Sequence, residues 1–269
     1  MNKMRLDVLL VQKGLASTRE KARAYIMAGE IWVNGQRAEK AGSQVEINAE
    51  FEHRSTRMDY VGRGGYKLEG AAHAFDLNFS NQVVLDVGAS TGGYTDYALQ
   101  HGAKKVYAVD VGYGQLDWSL RNRPEVVVRE RVNARYLTPD MFDEAIDIVV
   151  MDVSFISVTL IFPALVPLLT PDGEIVTLIK PQFESSKAQV GKKGIVRDPV
   201  VHQMVLERCI EAAKDLGLFP IGCCYSPIKG TKGNIEFFLH LTRSFDYGEG
   251  DLKQDISALV RKAHQELED

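Results

Sequence analysis

Between residues 82 and 152 the sequence sets short Val/Ile/Leu runs against helical or glycine-rich text, and the runs 82–87 (QVVLDV), 105–110 (KVYAVD) and 146–151 (IDIVVM) each carry an aspartate at or just before their carboxyl end or directly after it. Runs this apolar cannot turn one face to water, so both faces need cover. The intervening helical stretches 94–101, 115–121, 158–169 and 198–216 supply it, and further strands are expected at 125–128, 174–179, 219–224 and 235–241. Strand and helix in alternation specify an α/β fold with a parallel, doubly wound sheet. Ligands of such sheets sit at the carboxyl ends of the strands, where Asp86, Asp110, Asp152 and Lys180 all fall.

Composition narrows the class. The chain has 269 residues, 45% hydrophobic and 25% charged, enough to bury a sizeable core without crosslinks. Three cysteines make no disulfide scaffold, and no Cys/His spacing suggests zinc, so no metal is expected and a reduced, cytoplasmic compartment is the default. The amino-terminal residues show no apolar core of a signal peptide. The longest apolar stretch, 146–169, is broken by Asp147, Asp152, Pro163 and Pro167. It reads as a buried strand and a helix rather than a membrane span, and no stable membrane association is expected.

Residues 1–45 have a different grammar. A short apolar helix around Leu6–Leu15 precedes a second, capped by Thr18 and ended by Ala28-Gly29; a strand at 31–33 then meets the hairpin signal Asn34-Gly35. Eight Lys and Arg stand against four Asp and Glu here, a balance of +4 inside a chain of net −4, with Arg19 and Arg23 one turn apart. Residues 46–63 are polar and irregular and read as a linker, so the chain divides into 1–60 and 61–269. The set Arg5-Leu-Asp, Gly14-Leu, Arg19-Glu-Lys-Ala, Ile26, Ala28-Gly29 and Val33-Asn34-Gly35 resembles the S4 RNA-binding domain, a small α+β module; Thr18 keeps a hydroxyl where that family more often has Ser. The resemblance implies phosphate contacts to folded RNA through Arg5, Arg19, Lys21 and Arg23.

The turn 88–93 (GASTGG) is neither the dinucleotide pattern G-x-G-x-x-G nor a phosphate loop. A strand ending Asp-x-Gly-x-x-x-Gly-Gly resembles the opening of Rossmann-like S-adenosylmethionine methyltransferases. That implies cofactor contacts from Gly88, Ser90, Gly92 and Gly93, with Asp86 toward the ammonium of the methionine half. Asp110 would accept from the ribose hydroxyls, and Asn133 would lie near the adenine.

Lys67, Asp152, Lys180 and Glu236 each have an ordinary reading: a surface helix residue, a helix cap, a strand end, a solvent-facing strand residue. Together they resemble the Lys–Asp–Lys–Glu tetrad of FtsJ-like ribose 2′-O-methyltransferases. The motifs VGRGGYKLEGA, VLDVGASTGGYTD, VYAVDVGYGQL, RVNARYL, DVSFIS, LIKPQFE, VGKKGIVRDP and GNIEFFLHL extend the resemblance over residues 4–242 to the TlyA family, whose names include haemolysin A and rRNA cytidine 2′-O-methyltransferase. Gly62 departs from the family's usual Ser and is expected to affect linker geometry only. The resemblance implies S-adenosylmethionine-dependent methylation of ribosomal RNA, in either subunit, with Lys180 as base or orienter. The alternatives are a membrane-lytic protein and an S4-type RNA-binding protein with an inactive methyltransferase fold. The basic stretch 184–197 is expected to form a loop beside the site that meets RNA phosphate, and the amphipathic stretch 251–267 to pack on the second domain.

Overall fold

The computed structural model describes residues 3–16, 18–53, 59–244 and 255–267. It forms two compact units, Met1–Asp59 and Tyr60–Asp269.

The first unit runs β1 (Lys3–Arg5), α1 (Leu6–Gln12), α2 (Arg19–Ala28), β2 (Ile31–Val33), β3 (Gln36–Arg37), β4 (Gln44–Glu46) and β5 (Phe51–His53). The Thr18 hydroxyl accepts from the Lys21 N–H at 3.2 Å and caps α2, and Gly29 closes that helix at φ 77°. Leu6, Leu10, Ala22, Ile26 and Ile31 form a core between the helices and a three-stranded sheet, β3-β2-β5. The segment expected to be linker therefore supplies a strand: β5 pairs with β2, opposing Phe51 to Val33. Three residues with no alternation of polarity carry too little pattern to reveal it.

The second unit runs α3 (Gly64–Phe75), β6 (Val83–Val87), α4 (Gly93–Gln100), β7 (Lys105–Asp110), α5 (Trp118–Arg121), β8 (Val126–Glu130), β9 (Ile146–Met151), α6 (Phe162–Leu165), β10 (Leu169–Ile179), α7 (Pro181–Glu184), α8 (Pro199–Lys214), β11 (Phe219–Tyr225), β12 (Phe237–Thr242) and α9 (Ile256–Leu267). Its seven strands lie in the order β11-β12-β10-β9-β6-β7-β8. Five are parallel, but β12 runs antiparallel to both β10 and β11, so the sheet is mixed at one side rather than wholly parallel. One apolar cluster joins Val149, Ile175 and Phe237 to Val205, Cys209 and Val260; the other joins Val84, Val150 and Phe238 to Leu68, Ala98 and Leu120. The single helix expected over 158–169 is instead a 3-10 turn, α6 and a second 3-10 turn, with Pro163 and Pro167 in the first turn of the latter two. Proline lacks the N–H that an unbroken helix needs there. Of the stretch 251–267, residues 251–254 lie outside the described residues, and the rest forms α9 against α8 and β11.

The reversed strand positions the site. Because β12 is antiparallel, its first residue sits at the edge where the parallel strands end. Ile179 faces Phe237 across the ladder, so Lys180, just after β10, and Glu236, just before β12, leave the sheet side by side.

Two glycine contacts join α3 and α4 behind that edge. A Cβ on Gly93 would lie 2.7 Å from the Gly65 backbone nitrogen, and one on Gly62 would lie 2.4 Å from the Thr91 hydroxyl. Gly62 thus abuts the glycine-rich turn rather than serving as linker.

Candidate active site

At the carboxyl edge, Lys180 Nζ lies 2.6 Å from Asp152 Oδ1 and donates to Ser154 Oγ at 2.9 Å. Lys67, on α3, lies 2.7 Å from Glu236 Oε2 and 3.7 Å from Asp152 Oδ2. Asp152 therefore stands between two ammonium groups, and the four side chains form one chain of ion pairs. Their side chains are only 2–19% exposed. Two positive and two negative groups offset one another, which makes such burial tolerable. Gly230 closes over the end of the chain: a Cβ there would lie 1.9 Å from Glu236 Oε1.

Beside Asp152 opens a cavity of about 430 Å³, walled by Gly88, Ser90, Asp110, Asn133, Asp152 and Phe155 among others. Gly88 has φ 86°, and a Cβ on it would lie 2.5 Å from the Asp152 carbonyl oxygen, so only glycine fits both the turn and the approach. Asp86 lies buried behind this wall. Its Oδ2 accepts from Thr95 N–H at 2.9 Å and Thr95 Oγ1 at 2.7 Å, while the buried Oδ1 has no hydrogen-bond partner. Burial pushes the Asp86 carboxyl up to about 7; the two Thr95 hydrogen bonds oppose this, and the charges of Asp152 and Asp110 add to it. A cationic donor beside Oδ1 would satisfy the oxygen and restore the charge. The ammonium of S-adenosylmethionine has that chemistry.

Asp110 accepts backbone N–H groups from Ser90 at 2.8 Å and Gly112 at 2.6 Å, one on each oxygen. Each oxygen keeps further acceptor capacity for a hydroxyl. Asn133 accepts from the Arg135 N–H at 3.1 Å, capping the turn that holds it at the cavity wall. Gly92 and Gly93 do not line the cavity. Gly92 has φ 99° and sits against Leu116 and Leu120, and Gly93 faces Gly65, so their glycine character follows from turn and packing.

Of the aromatic side chains in these motifs, Tyr94 is buried, and that burial holds its phenol well above the usual range. Tyr113 is exposed with the Arg131 guanidinium 4.3 Å from its ring centre. Phe183 meets Phe155, centroid to centroid 4.9 Å, and lies 6.0 Å from Lys180 Nζ. Phe155 escaped the sequence reading: it is 89% exposed at the cavity rim with φ 66°. Ser154, Thr95 and Glu184 escaped it too. The buried Glu184 accepts from Ser157 Oγ at 2.6 Å and from the Val158 N–H at 2.8 Å, tying the chain after Asp152 to the chain after Lys180.

In the first unit three of the expected RNA-facing cations converge. Arg5, Arg19 and Arg23 approach Asp7 at 3.0, 2.9 and 3.3 Å, and its side chain is fully buried beneath them while theirs stay 44–50% exposed. Hydrogen bonding from Arg5, then from Arg19 and Arg23, holds the Asp7 carboxyl well below the usual range against the cost of burial. Lys21 is exposed on the same helix. Among the described residues no three or more His, Cys, Asp or Glu gather as metal ligands, and no helix is long and apolar enough to cross a membrane.

Residues 60–243 match the FtsJ-like methyltransferase family and residues 4–51 the S4 domain. YqxC of Bacillus subtilis, provisionally named an rRNA methyltransferase, is 47% identical over 99% of this chain and 96% of its own. The 16S/23S rRNA (cytidine-2′-O)-methyltransferase TlyA of Mycobacterium tuberculosis is 44% identical over 90% of this chain and 91% of its own. A solved structure from Streptococcus thermophilus, provisionally named a hemolysin, is 43% identical and superposes with a TM-score of 0.76 over 100% of this chain and 98% of that one.

Proposed function

Since the chain belongs to the FtsJ-like methyltransferase family and carries an S4 domain ahead of the catalytic fold, we propose that it transfers the methyl group of S-adenosylmethionine to the ribose 2′-hydroxyl of a cytidine in ribosomal RNA. The observation that carries this reading is the ion-pair chain of Lys67, Glu236, Asp152 and Lys180 beside a cavity lined by Gly88, Ser90, Asp110 and Asn133, with the buried Asp86 and its unpartnered carboxylate oxygen behind the wall. When bound, the cofactor supplies an electrophilic methyl on a sulfonium.

The remaining work falls to the chain. Asp86 would hold the cofactor's ammonium, Gly88 admit its methionine half, Ser90 and Asp110 hold its ribose, and Asn133 border its adenine. A 2′-hydroxyl is a weak nucleophile and must be held in line as it loses its proton. Lys180, steadied by Asp152 and Ser154, would orient that oxygen and in its amine form take the proton. Lys67 and Glu236 would fix Asp152 between the two ammonium groups. Phe155 and Phe183 would offer the target base an aromatic surface. Arg5, Lys21, Arg19 and Arg23 would hold RNA phosphates. Ribosomal subunits are then the partner, and the cytoplasm the place of action.

Labelled S-adenosylmethionine incubated with separated ribosomal subunits tests the reading. It expects label in rRNA at a cytidine 2′-oxygen, found by mapping the alkali-resistant linkage. Transfer to a base, or to no rRNA, would overturn it.

A further inference from the structure

Two turns near Glu236 have the same unusual anatomy. Residues 191–194 read Gly-Lys-Lys-Gly and residues 230–233 read Gly-Thr-Lys-Gly. Gly191 and Gly230 share an extended conformation, φ/ψ −71/−179° and −69/−177°. Lys193 and Lys232 are both left-handed, φ/ψ 70/8° and 64/8°, and Gly194 and Gly233 follow at φ 77° and 90°. Each turn closes with a hydrogen bond from its last glycine to its first, at 3.1 and 3.0 Å.

The buried Asn234 holds the pair together. It donates to the Gly194 carbonyl at 3.0 Å, accepts from the Val196 N–H at 3.0 Å, and its own carbonyl accepts from the Gly230 N–H at 2.9 Å. Lys232 Nζ comes within 4.0 Å of the point where a Gly194 side chain would begin, so the turns present one surface. Two residues beyond Asn234 is Glu236, whose carboxylate packs against Gly230.

Left-handed backbone is unfavourable for any residue with a Cβ, and glycine would relieve it. Here a lysine occupies that position twice, exposed, and among the described residues neither ammonium has a carboxylate partner. We propose that the paired turns are a phosphodiester clamp, with Lys193 and Lys232 gripping the RNA backbone next to the nucleotide being methylated. This rests on the proposed rRNA reading and adds a second RNA contact, on the catalytic unit itself.

Replacing both lysines by glycine, Lys193→Gly with Lys232→Gly, keeps the backbone and removes only the cations, so the fold should survive. In the full chain, the KM for ribosomal RNA should rise about tenfold, and the slope of log affinity against log salt should shrink by roughly one per lysine. Calorimetric affinity for S-adenosylmethionine should stay at the wild-type value. Asn234→Ala, which frees both turns with their lysines intact, should also raise the RNA KM. An unchanged RNA KM and salt slope in the double variant, beside an active wild type, would overturn the clamp alone. A wild type that neither binds nor methylates rRNA would overturn the clamp and the proposed function together.

Discussion

Asp86 answers to two environments, that of the protein's own side chains and one with a cation beside it. In the folded chain the carboxyl sits near 7 because burial penalises its charge. A folded value above the unfolded one means that the native state holds the proton longer. Its contribution to stability is therefore full below about pH 4 and is lost as pH rises to about 7. Binding of an ammonium group requires the carboxylate, so cofactor affinity should fall as pH drops below 7. Calorimetry between pH 5.5 and 8.5 should show this, and a flat profile would refute it. Asp86→Asn, which can still accept from Thr95, should weaken cofactor binding, flatten the profile, and stabilise the free protein at pH 8 by up to about 4 kcal/mol. Lys180→Ala should lower single-turnover methylation by roughly 10²–10⁴-fold with cofactor affinity unchanged. Lys180→Arg should not rescue it, because a guanidinium cannot give up its proton. A Lys180→Ala protein with normal turnover would remove the lysine from the chemistry. Asp86, Asp110, Asp152 and Lys180 were legible because they fall at the ends of apolar runs. Thr95 and Ser154 were not, since a hydroxyl takes its meaning from a neighbour that only the fold supplies.

At the scale of elements, small residues decide how α3 presents Lys67. Gly93→Ala places a methyl 2.7 Å from the Gly65 nitrogen, which is backbone and cannot rotate away. The helices must separate, at a cost of about 1–3 kcal/mol, and methylation should fall further than that loss of stability explains. Thermal melts alongside turnover would test it; an unaffected rate would mean that α3 does not need its close approach to α4. The arginine cluster of β1 and α2 makes a prediction of opposite sign to simple charge counting. Asp7→Asn removes a negative charge, yet it should weaken RNA binding, because Asp7 fixes three guanidiniums in one place. Tighter binding by titration would contradict that. Elements long enough to show a period, such as β6, β7, β9 and α8, were legible. Strand β5 was not, and the helix read across 158–169 gave way to the two prolines, whose local veto outweighs an apolar run.

For the whole molecule, the proposed reading puts most of the affinity for RNA in one unit and the chemistry in the other, and the amino-terminal unit is basic within an acidic chain. Removing residues 1–59 should leave cofactor binding intact and abolish most affinity for ribosomal RNA, while the full chain's affinity should fall steeply with salt. Filter binding across a salt series would show it, and undiminished affinity in the shortened chain would reject it. The sheet also has an order of completion. Among the described residues strand β12 is the last to be synthesised, yet it lies between β10 and β11 rather than at the margin. A chain cut short by a premature stop before residue 237 would lack an interior strand and leave β10 and β11 with unpaired edges where two ladders should have closed, an invitation to aggregate. Glu236 also leaves the ribosome after the other three members of its ion-pair chain. On the translating ribosome, the candidate catalytic edge stays incomplete until the chain has grown past residue 236.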